Sequence, residues 1–334
     1  MTLAIEHTKR QVFPFQWGQW WRLAVLGLAT AELNGSGCPG GIGNRTSSAP
    51  ADPSSVLGPW LDRVNLPMIL AVVATAVIVT FVMLLLFLYV SSICRFVLID
   101  AIVARRCTGI RSGWVRRRHV GRRYFRWQLV YHTAIGVGLA LVVFPAFAIA
   151  YAAGWLTLPE THLAPLIVTG LVVAGVLAAG FAAAIVVYVV AKDFLAPILA
   201  LDDISVREAW GRLLRIIRAD AMAFAGYLGL KCLLTIAWAM AMFVVALVLS
   251  VPLFIGALVA NAGAFASGSD LGIAALAGVM AAGGLLVAVV LAAIGVPFVV
   301  FFPASGLHFL AARYPSLDAW LAAGADPIEA PPTT

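Results

Sequence analysis

Residues 192–220 read KDFLAPILALDDISVREAWGRLLRIIRAD, and the rest of the chain can be placed relative to this stretch. It is the longest polar interruption in the second half of a very apolar sequence. Asp193 leaves a long apolar run. Pro197 is expected to break the helix, because proline lacks an N–H and clashes with the preceding turn. Asp202 and Asp203 are expected to charge the N-terminal end of the next helix. Ser205 followed by Glu208 has the spacing of a capping box, which predicts a helix from about Val206 to Arg218. Val206, Trp210, Leu213 and Ile217 share one face. Arg207, Arg212, Arg215 and Arg218 lie largely opposite, and Glu208 can pair with Arg212 one turn on. An apolar stripe holding a Trp and backed by arginines suits a helix in the membrane interface. The rival is an ordinary surface helix on a soluble core, and the apolar flanks argue against it.

Composition agrees with those flanks. Of 334 residues, 63% are hydrophobic and 11% charged, and the mean hydropathy is +1.00. Soluble domains are about half apolar and a quarter charged. The expected fold is therefore all-α, a polytopic helical membrane protein with no room for an added soluble enzyme. Six spans are predicted: Trp17–Leu33, Leu66–Val90, Leu129–Ala153, Ala164–Val190, Met222–Leu249 and Leu271–Phe302. The pattern of the second continues through Arg95 and Asp100. Pro252 is expected to kink or end the fifth. Trp17, Trp20 and Trp21 are residues of the type that anchors at headgroup level. Ala29-Thr30-Ala31 also allows the first run to be a signal peptide, but the stretch before it is long and carries Glu6, which favours a retained helix.

Charge sets the orientation. With the N-terminus inside, every Lys and Arg except Arg45, Arg63 and Lys231 falls in an inside segment. Cytoplasmic segments concentrate Lys and Arg, so both termini are expected in the cytoplasm. The expected organisation is one helical membrane domain over residues 1–312. It has an external loop at 34–65, a cytoplasmic basic loop at 105–128 and a cytoplasmic interfacial segment at 191–220. A flexible cytoplasmic tail follows at 313–334.

The chain holds little that reads as chemistry. Cys38, Cys94, Cys107 and Cys232 form no CxxC and no metal spacing, and the five histidines form no HExxH. Residues 35–40 match GxGxxG by letter, but no strand precedes them and no helix opens from them. Asn44 begins a glycosylation sequon that matters only in a eukaryotic secretory setting. Ser305 and His308 sit three apart, and helix capping and packing account for both. No enzyme activity and no cofactor are expected.

Two features stand above this background. Lys231 lies about ten residues into the predicted fifth span. A lysine facing lipid at mid-bilayer costs about 2.5–3.5 kcal/mol, so Lys231 is a candidate substrate or ion site, with Asp193 or Asp220 as counter-charge. The plainer reading is that its stem snorkels to the cytoplasmic surface. The second feature is the arginine run, which includes Arg116, Arg117, Arg118, Arg122 and Arg123. It can hold the loop inside or dock anionic lipid. Interleaved Trp114, Tyr124, Phe125 and Trp127 also allow nucleic acid, which is not the expected partner.

Three blocks carry a resemblance. They are HTKRQVF at 7–13 with WGQWW at 17–21; KDFLAPI at 192–198 with VREAW at 206–210 and YLGLK at 227–231; and PASGLHFLAARYP at 303–315. Together they resemble bacterial multi-pass proteins related to the membrane domain of glycerophosphoryl diester phosphodiesterases. The resemblance implies a helical membrane domain with interfacial helices beside its spans. It does not imply hydrolysis, which belongs to a separate soluble barrel in the fused relatives. The function expected from all this is non-catalytic: organising membrane lipids, anionic ones included, or a protein partner at the cytoplasmic face of a bacterial inner membrane. The alternative is a transporter or flippase-like protein with Lys231 near the substrate path.

Overall fold

The computed structural model describes residues 2–12, 16–30, 66–104, 109–156, 160–267 and 270–323. Every described element is helical. In chain order they are α1 (Thr2–Val12), α2 (Trp17–Ala29), α3 (Leu66–Val103), α4 (Ile110–Ala152) and α5 (Leu163–Val190). A π-helical turn (Ala191–Leu195) leads into α6 (Ala196–Asp202). Then come α7 (Val206–Ala219), α8 (Ala221–Ser267), α9 (Asp270–Ala311) and α10 (Pro315–Ala322).

Five helical runs are long and apolar enough to cross a membrane: Leu70–Val103, Ile110–Ala152, Leu163–Asp202, Ala221–Gly256 and Met280–Ala311. The expected sixth is not among them. Helix α2 has 13 described residues, about 20 Å at 1.5 Å per residue, against a hydrocarbon core of about 30 Å. The expected external loop lies outside the described residues, together with Cys38, the sequon and the GxGxxG letters.

Four expectations are corrected. Most of the basic loop is not a loop: from Ile110 the arginine run is the first third of α4. Arginine is a good helix former, and Gly113, Val120, Gly121, Tyr124 and Gln128 give this segment a buried stripe. Second, Pro197 does not end its helix. The π turn just before it widens the ladder, and Pro197 enters the first turn of α6, where a missing N–H costs nothing. Third, α8 runs through Pro252 to Ser267, into the expected small-residue loop. Fourth, the tail is not flexible from its start: α10 buries Leu317 and Leu321.

Packing is concentrated in one layer. The largest buried side chains are Tyr124, Phe96, Phe194, Leu23, Leu26, Ile93, Leu98, Ile102, Leu195, Ile198, Leu199 and Leu213. All lie on α2, the second half of α3, the first third of α4, the 191–202 segment and α7. The end of α9 joins them through Val296, Val299, Val300, Leu307 and Leu310. The apolar halves that would lie in lipid are exposed, as Val77, Phe81, Leu141, Leu171 and Leu233 illustrate. Lipid tails are as apolar as leucine, so no hydrophobic force draws those halves together.

Helix α1, a polar segment with no predicted role, belongs to this layer. α3 ends at Val103, so its last carbonyls lack partners within the helix. His7 Nε2 donates to the Ile102 carbonyl at 2.9 Å, and Gln11 Nε2 donates to the Ala101 carbonyl at 2.9 Å. The His7 ring also meets the His308 ring of α9 edge-on, with centroids 5.4 Å apart.

Candidate functional site

The π turn brings Asp193 to the centre of the packed layer. Pro197 has no N–H to offer the Asp193 carbonyl four residues back. Gly306 of α9 lies against this strip of backbone: a Cβ built there would stand 3.4 Å from both the Asp193 carbonyl oxygen and its Cβ. The carboxylate of Asp193 accepts from the Tyr227 hydroxyl at 3.1 Å and forms an ion pair with Lys231. Tyr227 and Lys231 are one helical turn apart, which puts both on one face of α8. The Lys231 ammonium also stands 5.8 Å from the centroid of the Phe302 ring. Side-chain exposure is 13% for Lys231 and 3% for Asp193, so the pair is withdrawn from solvent.

Of the two proposed counter-charges, Lys231 therefore takes Asp193. Within the first ten residues of α8, Phe224 and Tyr227 are buried and pack on Phe194 and Phe309. Asp220, the other proposed counter-charge, pairs instead with Arg313 at 2.6 Å. A cavity of about 20 Å³ beside Asp193 is lined by Arg95, Lys192, Pro197 and Pro303. That is room for about one water. Arg95, which reasoning from the sequence passed over, is buried and donates to the Tyr124 hydroxyl at 2.9 Å. Its signal was available: an arginine five residues past an apolar run, inside an unbroken helical pattern.

The arginines divide into two groups. Arg117 makes a bidentate contact with Asp100, at 2.8 and 2.6 Å, and donates to the Ala200 carbonyl at 2.8 Å. Arg123 donates to the Asp203 carboxylate at 2.9 Å. Arg116 lies 3.5 Å from Asp100 with its side chain 43% exposed. Arg111, Arg118, Arg122 and Arg126 are exposed, and none has a carboxylate partner among the described residues. Asp202 and Asp203 thus serve mainly as partners for arginines. Asp202 takes Arg212 at 2.7 Å, and Asp203 holds a left-handed backbone with φ 47°, which Asp tolerates better than most residues. Ser205 caps α7 as predicted, accepting from the Glu208 N–H at 3.3 Å, and Glu208 pairs with Arg212 at 2.8 Å. Hydrogen bonds to Tyr314 and Glu208 raise the Arg212 pKa above its ordinary value.

The two groups should respond differently to mutation. Arg117→Ala removes a partly buried charged pair and leaves Asp100 without its bidentate partner. It is expected to destabilise by about 2–3 kcal/mol. Arg116→Ala should cost under about 0.5 kcal/mol. Thermal unfolding of both variants in nanodiscs checks this, and equal midpoints would remove the distinction.

The fold and both sites lie within one stretch of detectable relationship. A family model covers residues 1–320, a family of unknown function designated DUF7544. This chain belongs to that family. No curated protein and no solved structure matches the chain. The DUF7544 match by itself shows no link to the membrane domain of glycerophosphoryl diester phosphodiesterases.

Proposed function

We propose that this DUF7544 member is a non-catalytic multi-pass protein of the bacterial cytoplasmic membrane. In this reading both termini are cytoplasmic, and the packed layer organises lipids or a protein partner on that side. The carrying observation is the contrast between the two charged sites. Lys231 is closed on Asp193 deep in the layer, beside a cavity no larger than a water, whereas Arg111, Arg118, Arg122 and Arg126 are open at its rim. A closed pair suits a structural lock, and an open cationic face suits recognition. The orientation rests on the distribution of Lys and Arg. The resemblance to relatives of the phosphodiesterase membrane domain fits, because such a domain contributes no hydrolysis of its own.

One observation favours the transporter as a second reading. The Lys231–Asp193 pair sits beside a π turn and two prolines within helices, Pro197 and Pro303, and transporters build sites in Pro- and Gly-containing spans. A single experiment separates the two. The protein is extracted gently from its native membrane and examined by native mass spectrometry, beside Lys231→Ala and a variant with the α4 arginines neutralised. Anionic lipid or a protein partner lost only from the arginine variant supports the organising role. A small solute lost only from Lys231→Ala overturns it in favour of transport.

A further inference from the structure

The edges of α4 can be assigned by what each touches on α3. Trp114 and Phe125 both meet Tyr89, with ring centroids 6.2 and 5.5 Å away. Arg116 and Arg117 reach Asp100 instead. Tyr89 stands at the end of the apolar half of α3, and Asp100 lies about 16 Å further from it along the helix. One edge of α4 therefore faces the apolar, membrane-spanning half and the opposite edge faces away. At 100° per residue, Arg116 and Arg123 project roughly 160–200° from Trp114 and Phe125. Arg111, Arg118 and Arg122 project within roughly 20–80° of them on the exposed side, whereas Arg117 lies roughly 60–80° away on the other side, in the buried stripe with Gly113 and Tyr124. The arginines are thus sorted by direction. Arg116 and Arg123, on the far edge, meet Asp100 and Asp203. Arg111, Arg118 and Arg122 lie on the near edge and meet no carboxylate among the described residues.

We infer that Arg111, Arg118 and Arg122 form a binding rail for the phosphodiester headgroups of anionic lipids in the leaflet beside Tyr89. This deepens the organising role proposed above and rests on it. The rail has the composition such a site requires. Guanidinium groups donate to phosphate oxygens in a fixed fork. Trp114 is an aromatic of the kind enriched at headgroup level, and Val115, 58% exposed, offers an apolar contact between Arg111 and Arg118. The carboxylates that would repel a phosphate, Asp100 and Asp203, sit on the other edge and are already paired. The rail also accounts for the uneven neutralisation of one arginine run: carboxylates are supplied where the helix turns from the membrane and omitted where it turns toward it.

The test uses the full chain in nanodiscs of mixed phosphatidylglycerol and phosphatidylcholine, with retained lipids counted by native mass spectrometry. The rail variant is Arg111→Gln/Arg118→Gln/Arg122→Gln. The control is Arg207→Gln/Arg215→Gln/Arg218→Gln, which removes the same charge from the exposed face of α7. The rail variant is expected to lower the preference for phosphatidylglycerol at least about fivefold, since each basic residue near the surface carries an appreciable attraction. The control should change it less than twofold, and 1 M salt should erase the preference in the wild type. All six residues are exposed, so thermal midpoints should stay put and report that both variants are folded. Loss from the control with none from the rail variant overturns the rail and leaves the organising role standing. Equal loss from both also overturns the rail. No preference in any protein overturns the rail and lipid organisation together.

Discussion

Asp193→Ala is expected to destabilise the protein by about 3–5 kcal/mol, the cost of leaving a buried charge without its partner. The substitution strands the Lys231 ammonium, which is 13% exposed, and removes the acceptor of the Tyr227 hydroxyl. Two further variants tie the effect to the ion pair. Asp193→Asn keeps the volume and an acceptor for Tyr227 while discarding the negative charge, so it should recover only part of the loss. Asp193→Asn combined with Lys231→Met removes both charges and should recover most of it, because an apolar pair of similar volume is often neutral or better than a buried ion pair. The measurement is a thermal or denaturant midpoint in nanodiscs for the three variants, Lys231→Met alone and wild type, analysed as a double-mutant cycle. A double variant no more stable than Asp193→Ala would show that the pair is not what holds α8 to the π turn.

The second large effect is expected at Gly121. A Cβ at this position would fall 2.6 Å from Ile93 Cγ1 and 3.0 Å from Ile93 Cα. The isoleucine side chain can rotate, but the backbone atom cannot move without shifting α3. Gly121→Ala is expected to cost about 1–3 kcal/mol as overpacking, and Gly121→Val should cost more. Gly211 provides the comparison, since nothing lies within 4 Å of the Cβ it would carry. On the exposed face of α7, Gly211→Ala should stabilise by about 0.5–1 kcal/mol through helix propensity. If Gly121→Ala stabilised the protein as much as Gly211→Ala, the close approach of α3 and α4 would be disproved.

The two sites differ in how legible they were. Helix α7 could be read from Ser205, Glu208 and Arg212 because capping and one-turn pairing are local interactions. Lys231 and Asp193 could be picked out because charges in apolar runs are rare. Their pairing was not fixed by spacing, since Asp220 was an equal candidate until α9 delivered Arg313 to it. The arginine segment misled because its buried stripe is small and partly polar: Gly113, Gly121 and Gln128 add almost nothing to an average of hydropathy. The π turn could not be foreseen at all. Pro197 alone says that a helix should break, and nothing in the local sequence says that a π turn will carry the helix past it. Helix α1 was given no role for a related reason: the buried His7 and Gln11 are matched to carbonyl groups about 90 residues away.

That match carries a consequence for how the molecule is made. Helix α1 closes the open end of α3 and rests against α9, so its final contacts reach both an early and a very late part of the chain. His7 precedes its ring partner His308 by 301 residues. Helix α1 can meet α3 once residues 101 and 102 are made, but its contact with α9 must wait for His308. Until then the layer stays unlatched on the α9 side. The α1–α9 contact is thereby a late step of assembly, and only a protein with α9 in place can complete it.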